Sequence, residues 1–361
     1  MNTYTCKCNN TLHFENSQCV SCLREVGWCP ECQGIRAMEP IDGTSYTCLN
    51  CNTQLRKCTN YAVHQVCNRC VHEEGEHTHE FCDYCKFNDV IPDISNPKNK
   101  ERWYLIEVAK RRLLYNLDIL KLPYGTAAEG FELPLSFDFK EDIVVPDPSG
   151  SGTIEEKVYT GHADGKITIN ITEADPVERE KLRVDFGEPH RTLIGHFRHE
   201  IAHYYWQLLV QGKCEDSFKQ VFGDHENPSY TDAMNSYYQN GPKPNWQTDY
   251  ISAYATMHPW EDFAETFGAY LDMVAVLDTA EHVALTINEP IENSGNELLN
   301  MLQRYELLGI KINEMNRTMG LLDLVPEVFT AGVVRKMQFI HWLVKKSSML
   351  LRMPAQQTVG A

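Results

Sequence analysis

One segment of the sequence could hold a metal ion and activate a water molecule. Within residues 195–207, His199, Glu200 and His203 form the pattern H-E-x-x-H. Residues four apart in a helix share a face, so both imidazoles can bind one Zn²⁺ while Glu200 points at the water on that ion. Such a water is a nucleophile for hydrolysis. The alternative is a pair of hydrogen-bonded core histidines beside an exposed glutamate.

The residues around the motif predict the helix that it requires. Apolar residues recur at helical spacing and form one stripe: Phe197, Ile201, Tyr205 and Leu208. The motif residues and His196 fall on another face. His196 lies one turn before His199, and it either lines the cleft or occupies a supporting or surface position.

A catalytic zinc usually has three protein ligands and a water, so a third ligand is needed. The metzincin arrangement is excluded, because Trp206 and Leu209 stand where it requires Gly and His. Residues 259–267 instead predict a second helix that places Glu261 and Glu265 four apart on one face. We expect Glu261 to bind the zinc and Glu265 to accept a hydrogen bond from a ligand histidine.

Other roles remain open for this second segment. Glu261 could simply complement the dipole of the helix that begins at Pro259. Further ligand candidates are Asp262, His258 and His225. Tyr254 lies seven residues before Glu261 and could donate a hydrogen bond to the oxyanion that forms during amide hydrolysis, or it could be an ordinary packing residue.

The cysteines indicate structural zinc in a reducing compartment. Thirteen of the 14 lie between Cys6 and Cys85, and only Cys214, expected to be a buried thiol, lies outside. Two clusters have the spacing of tetrahedral zinc sites: Cys6, Cys8, Cys19 and Cys22, and then Cys29, Cys32, Cys48 and Cys51. Disulfides or scattered free thiols are the alternative. The region has little material for an apolar core, so we expect metal to supply much of its folding free energy.

A third cluster offers five thiols for four positions. It consists of Cys58, Cys67, Cys70, Cys82 and Cys85, with His64, His72, His77 and His79 nearby. Its ligand set therefore stays open at this point. Together the clusters predict about three structural zinc ions in addition to one catalytic ion.

Composition excludes several classes of function. The 361 residues carry a formal net charge of −17, and residues 1–90 have seven basic and eleven acidic side chains without a basic patch. Binding to nucleic acid is therefore not expected. No stretch of eighteen apolar residues and no secretory leader is present, so we expect a cytoplasmic protein without a membrane segment.

The remaining sequence predicts an α+β protein with a zinc-ribbon region at 1–90 and a mainly helical, zincin-like domain at 97–355. Residues 91–98 are the expected linker, and a helix is expected to begin near Pro97. Strands at 131–139 and 158–171, the latter as a hairpin, predict a small antiparallel sheet. Residues 166–170 are the candidate edge strand for substrate. Amphipathic helices are expected at 297–309 and 333–350.

The chain resembles the bacterial zinc-binding metallopeptidases that carry an N-terminal zinc ribbon, whose site layout is related to that of the gluzincins. The segments that carry this resemblance are residues 96–103, 109–115, 160–165, 187–193, 195–200, 252–255 and 258–266. The resemblance implies a zinc-dependent peptidase acting on a peptide or protein. It also favours Cys58, Cys67, Cys82 and Cys85 as the ligands of the third cluster, with Cys70 and the second cluster as additions to the family pattern.

Three functions compete at this stage. In the leading one, zinc on His199, His203 and Glu261 activates water, Glu200 moves the proton to the leaving amine, and Tyr254 stabilises the oxyanion. The second is a zinc-ribbon interaction module, which contacts a protein partner and carries an inactive peptidase-like domain. The intact Glu200 argues against it. The third is hydrolysis of a non-peptide amide at the same site.

Overall fold

Short strands fill the first ninety residues of the chain, and long helices form most of the remainder. The computed structural model describes residues 1–73, 80–146, 153–185, 192–287, 289–291, 293–326 and 328–350. The strands are β1 (Tyr4–Thr5), β2 (Thr11–Leu12), β3 (Val26–Cys29), β4 (Gly34–Pro40), β5 (Ser45–Cys48), β6 (Gln54–Lys57), β7 (Cys70–His72), β8 (Asn88–Val90), β9 (Ser136–Lys140), β10 (Ile143–Pro146), β11 (Thr153–Glu156), β12 (Gly161–Ala163) and β13 (Lys166–Asn170). The helices are α1 (Thr59–Ala62), α2 (Pro97–Leu120), α3 (Pro176–Asp185), α4 (Leu193–Leu209), α5 (Glu215–Phe222), α6 (Tyr230–Asn240), α7 (Pro259–His282), α8 (Glu297–Thr318) and α9 (Ala331–Leu350).

The N-terminal region is built from antiparallel strands and has an apolar core of its own. Strands β1 and β2 form a hairpin, and β3 to β7 form a five-stranded sheet in chain order. Its core was not foreseen from the sequence, and the expectation that little apolar material exists here was wrong. The residues of this cluster are Tyr4, Cys6, Leu12, Phe14, Cys19, Val26, Trp28, Ile35, Ala37 and, from α2, Tyr115. Because they are scattered over the four short strands β1 to β4 and the loops between them, no periodic pattern marks them.

Helix α2 joins this region to the rest of the chain. It begins as predicted at Pro97, where the side chain of Asn96 accepts a hydrogen bond from the backbone N–H of Lys98. Trp103, with the apolar residues that follow it at helical spacing, is fully buried against the main core. Tyr115 on the same helix packs against Phe14 and Trp28 of the N-terminal cluster. The two apolar clusters therefore share one helix.

The second sheet is mixed rather than antiparallel, which corrects the prediction. Its order is β12-β13-β9-β8; only β12 and β13 run antiparallel, whereas β9 is parallel to both β13 and β8. The parallel pairing is possible because the 25 residues between β9 and β13 include the separate β10–β11 hairpin. The strand predicted at 131–139 is shorter in the structure, because only the residues of β9 pair with neighbouring strands.

The candidate substrate strand is also corrected. Strand β13 is paired on both sides, by β12 and β9, so it has no free edge. The edge strands are β8 and β12, and β12 contacts the motif helix α4. The turn that joins β12 to β13 follows the Asp-Gly rule for two-residue hairpins, because Asp164 and Gly165 have φ of 47° and 83°. A Cβ at position 165 would lie 2.2 Å from the carbonyl oxygen of Pro134, so only glycine fits.

Helices dominate the chain from α3 onward, as predicted. Helices α4 and α7 pack against each other, and α7 also contacts α8 and α9. Helix α8 extends beyond the predicted end at residue 309, and α9 begins two residues before the predicted start at residue 333. The apolar faces of both helices cover the core. Among the described residues, we find no helix that is both long and apolar enough to cross a membrane.

Candidate metal centre and active site

The motif residues lie on α4, which the local sequence holds in a fixed position. Thr192 caps the helix, its hydroxyl accepting a hydrogen bond from the backbone N–H of Gly195 at 3.0 Å. Phe197 and Ile201 are completely buried on the apolar face. On the opposite side, the Nε2 atoms of His199 and His203 lie 3.1 Å apart. The helix therefore presents both imidazoles towards one point.

Helix α7 brings two carboxylates to the same place. One oxygen of Glu261, Oε2, lies 3.0 Å from Nε2 of His199, and the other, Oε1, lies 3.7 Å from Nε2 of His203. One turn later, Oε1 of Glu265 lies 2.8 Å from Nδ1 of His199. Glu265 also accepts a hydrogen bond of 2.8 Å from the hydroxyl of Ser252. The two glutamates thus contact opposite nitrogens of one imidazole.

The three groups fit a zinc ion. Ligand bonds of about 2.0–2.1 Å in a tetrahedron put ligand atoms about 3.3 Å apart. The ligand atoms of His199, His203 and Glu261 all lie within 4.8 Å of one another, and two of the separations are 3.0 and 3.1 Å. Oε2 of Glu261 is buried and accepts no hydrogen bond. A buried carboxylate oxygen without a donor is costly, and a cation at this point would remove that cost.

The charges of this cluster are strongly coupled. Burial by itself would raise the pKa of Glu261, but the adjacent imidazoles of His199 and His203 hold this pKa well below its ordinary value. Burial also works against the charged form of His199, and the carboxylates of Glu261 and Glu265 outweigh it and raise the pKa of that imidazole. Burial raises the pKa of Glu200, and the neighbouring imidazoles partly oppose this shift. Glu200 therefore lies within the field of the same two histidines.

Two tyrosines complete the surroundings of Glu261. Tyr254 lies on a 3₁₀ turn, Tyr254–Thr256, and its ring centroid is 6.1 Å from that of His199. Tyr230, at the start of α6, donates a hydrogen bond of 2.9 Å from its hydroxyl to Oε1 of Glu261. Burial raises the pKa of the Tyr254 hydroxyl, and the charge of the Glu261 carboxylate adds to this shift. Tyr230 was not foreseen from the sequence.

The lesser ligand candidates have other partners. Asp262 forms an ion pair of 2.6 Å with Lys336, and burial raises its pKa to about 6 against the effect of that lysine. His258 caps α7: its Nδ1 accepts from the backbone N–H of Trp260, and its Nε2 lies 3.1 Å from the carbonyl oxygen of His225. His225 itself is buried among the rings of Trp206, Phe218 and Trp260. The structure does not bring these three side chains into the cluster.

His196 and Cys214 also lie outside the metal cluster. The Nδ1 atom of His196 contacts the carboxylate of Glu173, so this histidine links α4 to the segment after β13. Cys214 precedes α5 and is half-buried rather than fully buried, with its thiol 3.5 Å from the carbonyl oxygen of Leu209. Its position indicates packing rather than chemistry.

The first two cysteine clusters form compact tetrads. Sulfur atoms lie 3.6 Å apart for Cys8 and Cys19, and 3.8 Å apart for Cys6 and Cys22. In the second tetrad, the separations are 3.7 and 3.8 Å for the pairs Cys29–Cys51 and Cys32–Cys48. A tetrahedron with Zn–S bonds of about 2.3 Å has sulfur atoms about 3.8 Å apart, whereas a disulfide has about 2.0 Å. Both tetrads therefore have the dimensions of zinc sites.

The third cluster groups four of its five thiols. Its members are Cys58, Cys67, Cys82 and Cys85, all of them buried. The fifth thiol, Cys70, lies instead 3.3 Å from the sulfur of Met38. The ring centroid of His64 lies 5.2 Å from that of Trp103, and His72 is exposed on β7. His77 and His79 lie outside the described residues.

Two buried cations lie beside the third tetrad. Four thiolates around Zn²⁺ carry a net charge of −2, which is costly to bury without compensation. Lys110 and Arg111 of α2 are both fully buried, and Lys110 forms an ion pair of 2.9 Å with the buried carboxylate of Glu107. Nη1 of Arg111 donates a hydrogen bond of 2.6 Å to the carbonyl oxygen of Val66. Arg111 therefore joins α2 to the segment that carries Cys67.

Comparison with known proteins identifies the family. Residues 99–343 match the model of a family described as "putative zinc-binding metallo-peptidase", and residues 3–96 match a zinc-ribbon domain. The chain belongs to this metallopeptidase family. Residues 187–191 of the resemblance noted above lie outside the described residues.

The relatives of this metallopeptidase include uncharacterised mycobacterial proteins. Proteins from Mycobacterium bovis and Mycobacterium tuberculosis are 35% identical to it over 345 residues, which cover 93% of this chain and 93% of each relative. No solved structure matches the chain. The match therefore extends over the zinc ribbon and the metallopeptidase region together.

Family membership and geometry agree on zinc as the metal of this protein. The family binds zinc, and three cysteine tetrads have the dimensions of zinc sites.

The sequence patterns missed Tyr230 and Ser252, which contact Glu261 and Glu265. Neither residue stands at a helical spacing from the motif, because each reaches the site from a separate segment. A pattern within one element could not have found them.

Proposed function

We propose that this metallopeptidase is a zinc-dependent enzyme that hydrolyses peptide bonds, with zinc held by His199, His203 and Glu261. One observation carries the proposal: α4 and α7 bring both imidazoles and the Glu261 carboxylate together, with Glu265 hydrogen-bonded to the far nitrogen of His199. A zinc ion at this place would polarise a peptide carbonyl and make its water a nucleophile near neutral pH. The gluzincin type of site follows from the glutamate ligand.

The chain's own residues supply the proton transfers. Glu200 accepts the proton of the attacking water and passes it to the leaving amine. It is suited to this role because it adjoins both imidazoles while the Glu261 carboxylate occupies the ligand position. Tyr254 donates its hydroxyl hydrogen bond to the oxyanion of the tetrahedral intermediate. Its ring centroid lies 6.1 Å from that of His199 on α4.

The substrate is a peptide that binds in extended form along β12. This strand is one of the two end strands of its sheet and is the one that lies next to α4, so its free backbone groups can pair with a peptide beside the metal centre. The edge strand thus takes the role that the sequence pattern gave to residues 166–170.

The cysteine tetrads hold three structural zinc ions, which brings the total to four per chain. We divide the chain into a zinc-ribbon region at 1–90 and a metallopeptidase domain at 97–355. Thirteen unpaired cysteines in the first region require a reducing compartment, so we place the protein in the cytoplasm. The ribbon region has eleven acidic and seven basic side chains, so it can contact a protein partner but does not suit nucleic acid.

Profiling on a peptide library tests the proposal. Zinc-loaded protein is incubated with the library, and the products are identified by mass spectrometry beside Glu200→Gln protein with the same zinc content. Cleavage by wild type alone supports a peptidase. Turnover of small non-peptide amides without cleavage of any peptide would support an amidohydrolase instead. Absence of turnover on both, with zinc fully loaded, would favour an inactive domain that serves binding.

A further inference from the structure

Tyr230 is fixed against the start of α7 from a different helix. Its ring lies 5.2 Å from that of His258 and 5.9 Å from that of Trp260, centroid to centroid. Ser229 caps α6 by accepting a hydrogen bond from the backbone N–H of Asp232, and Tyr230 lies in the first turn that this cap stabilises. From this position the hydroxyl reaches Oε1 of Glu261 at 2.9 Å. The phenol is therefore placed by packing and by a cap, independently of the metal.

The two oxygens of Glu261 have different surroundings. Oε1 accepts the hydrogen bond of Tyr230 and lies 3.7 Å from Nε2 of His203. Oε2 is buried, accepts no hydrogen bond and lies 3.0 Å from Nε2 of His199. A carboxylate with one oxygen engaged by a donor is disposed to bind a metal through the other oxygen. The difference marks Oε2 as the ligand atom.

We propose that Tyr230 is a positioning residue that holds Glu261 so that only Oε2 binds the zinc. This inference rests on the proposed metal centre. By engaging Oε1, the phenol opposes binding through both oxygens, which would occupy the position that water and substrate need. Groups behind a metal ligand typically change metal affinity by roughly 10- to 100-fold. Tyr230 acts through Glu261 and does not touch the reacting atoms.

Zinc affinity tests the inference without reference to turnover. The full-length protein is loaded with zinc, and the most weakly held ion is titrated with a chelator in wild type, Tyr230→Phe and Tyr270→Phe. His203→Ala identifies that ion as the one at the proposed centre. Tyr270 is a matched control, because it lies on α7 and its hydroxyl forms a 2.8 Å hydrogen bond with His341, away from the site. We expect Tyr230→Phe to weaken this zinc by about 10-fold or more, and Tyr270→Phe to leave it unchanged.

Cobalt provides the spectroscopic readout that a general loss of stability would not change. The weak site is exchanged to Co²⁺ while the tetrads keep zinc, and the visible absorption of the cobalt reports coordination number and geometry. We expect Tyr230→Phe to alter this spectrum, and Tyr270→Phe to reproduce that of wild type.

The outcomes separate this inference from the proposed function. Unchanged affinity and an unchanged cobalt spectrum in Tyr230→Phe would overturn the role of Tyr230, even if wild type cleaves peptides. A weaker zinc affinity together with an altered cobalt spectrum in Tyr230→Phe would support the role of Tyr230, even if no peptide is cleaved and the peptidase proposal fails. An equal zinc content in His203→Ala and in wild type would overturn both this inference and the proposed function. It would mean that no zinc occupies the proposed centre.

Discussion

The Nδ1 atom of His199 lies 2.8 Å from Oε1 of Glu265, while its Nε2 atom faces Glu261. The contact fixes the tautomer, because Nδ1 must carry the hydrogen that Glu265 accepts, which leaves the lone pair of Nε2 for a metal. Ser252 holds the other oxygen of Glu265. One imidazole is therefore oriented by residues from α7 and from the segment before it.

Replacing Glu265 should weaken zinc binding at this centre. We expect Glu265→Ala to lower the affinity by roughly 10- to 100-fold, because His199 loses the acceptor that orients it. Glu265→Gln should lose less, since its amide oxygen can still accept from Nδ1. Chelator titration of the weakest zinc measures both. Glu281→Gln, an exposed change on the same helix, is the control, and an affinity in Glu265→Ala equal to that of this control would contradict the prediction.

Glu200→Gln should abolish turnover while leaving fold and zinc content intact. The substitution keeps the size and polarity of the side chain but removes the proton acceptor. Cleavage of a peptide identified with wild type, zinc content by mass spectrometry and thermal unfolding test the three parts. Wild-type activity in this variant would rule out Glu200 as the base.

Tyr254→Phe should reduce kcat far more than it changes KM or zinc content. Loss of one oxyanion donor costs roughly 10²- to 10³-fold in kcat. Steady-state kinetics on a cleaved peptide measure the effect. Tyr204→Phe serves as control, because its hydroxyl donates to the carbonyl oxygen of Leu133 at 2.9 Å and not to the site. An equal, small effect in both variants would return Tyr254 to a packing role.

Purified protein should contain four zinc ions that leave in a defined order. A chelator should first remove the ion at the H-E-x-x-H centre, whose His199 and His203 are 18% and 21% exposed. The third tetrad, buried throughout, should release its ion last. Metal analysis during chelator titration, with His203→Ala as the three-zinc reference, checks the order. Two zinc ions or fewer after expression with ample zinc would contradict the tetrad assignments.

The fifth thiol of the third cluster should be dispensable for zinc. Cys70→Ala should keep all four ions and cost about 1 kcal/mol of unfolding free energy, because it removes one buried sulfur beside Met38. Cys85→Ala should lose one ion and lower the melting temperature much further, because this zinc contributes folding free energy. Both side chains are buried, so the comparison isolates metal binding. A lost ion in Cys70→Ala would assign Cys70 as a ligand.

Elements with their own periodicity or fixed spacing could be predicted from the sequence. The helix around His199, the start of α2 at Pro97 and the hairpin at Asp164 and Gly165 each depend on neighbours within a few residues. The first two cysteine tetrads follow from knuckle spacing in the same way. Local geometry suffices for these features, because bonds within one helix, turn or knuckle define them.

Tertiary structure decided every feature that joins distant segments. It placed β9 parallel to β13, gave a free edge to β12, and separated Cys70 from the other four thiols. It also brought the hydroxyl of Tyr230 to Glu261, 31 residues later in the chain. The core formed by β1 to β4 around Trp28 has the same origin. Such contacts depend on how α4, α6 and α7 or several short strands pack together, and no spacing within a single element encodes that packing.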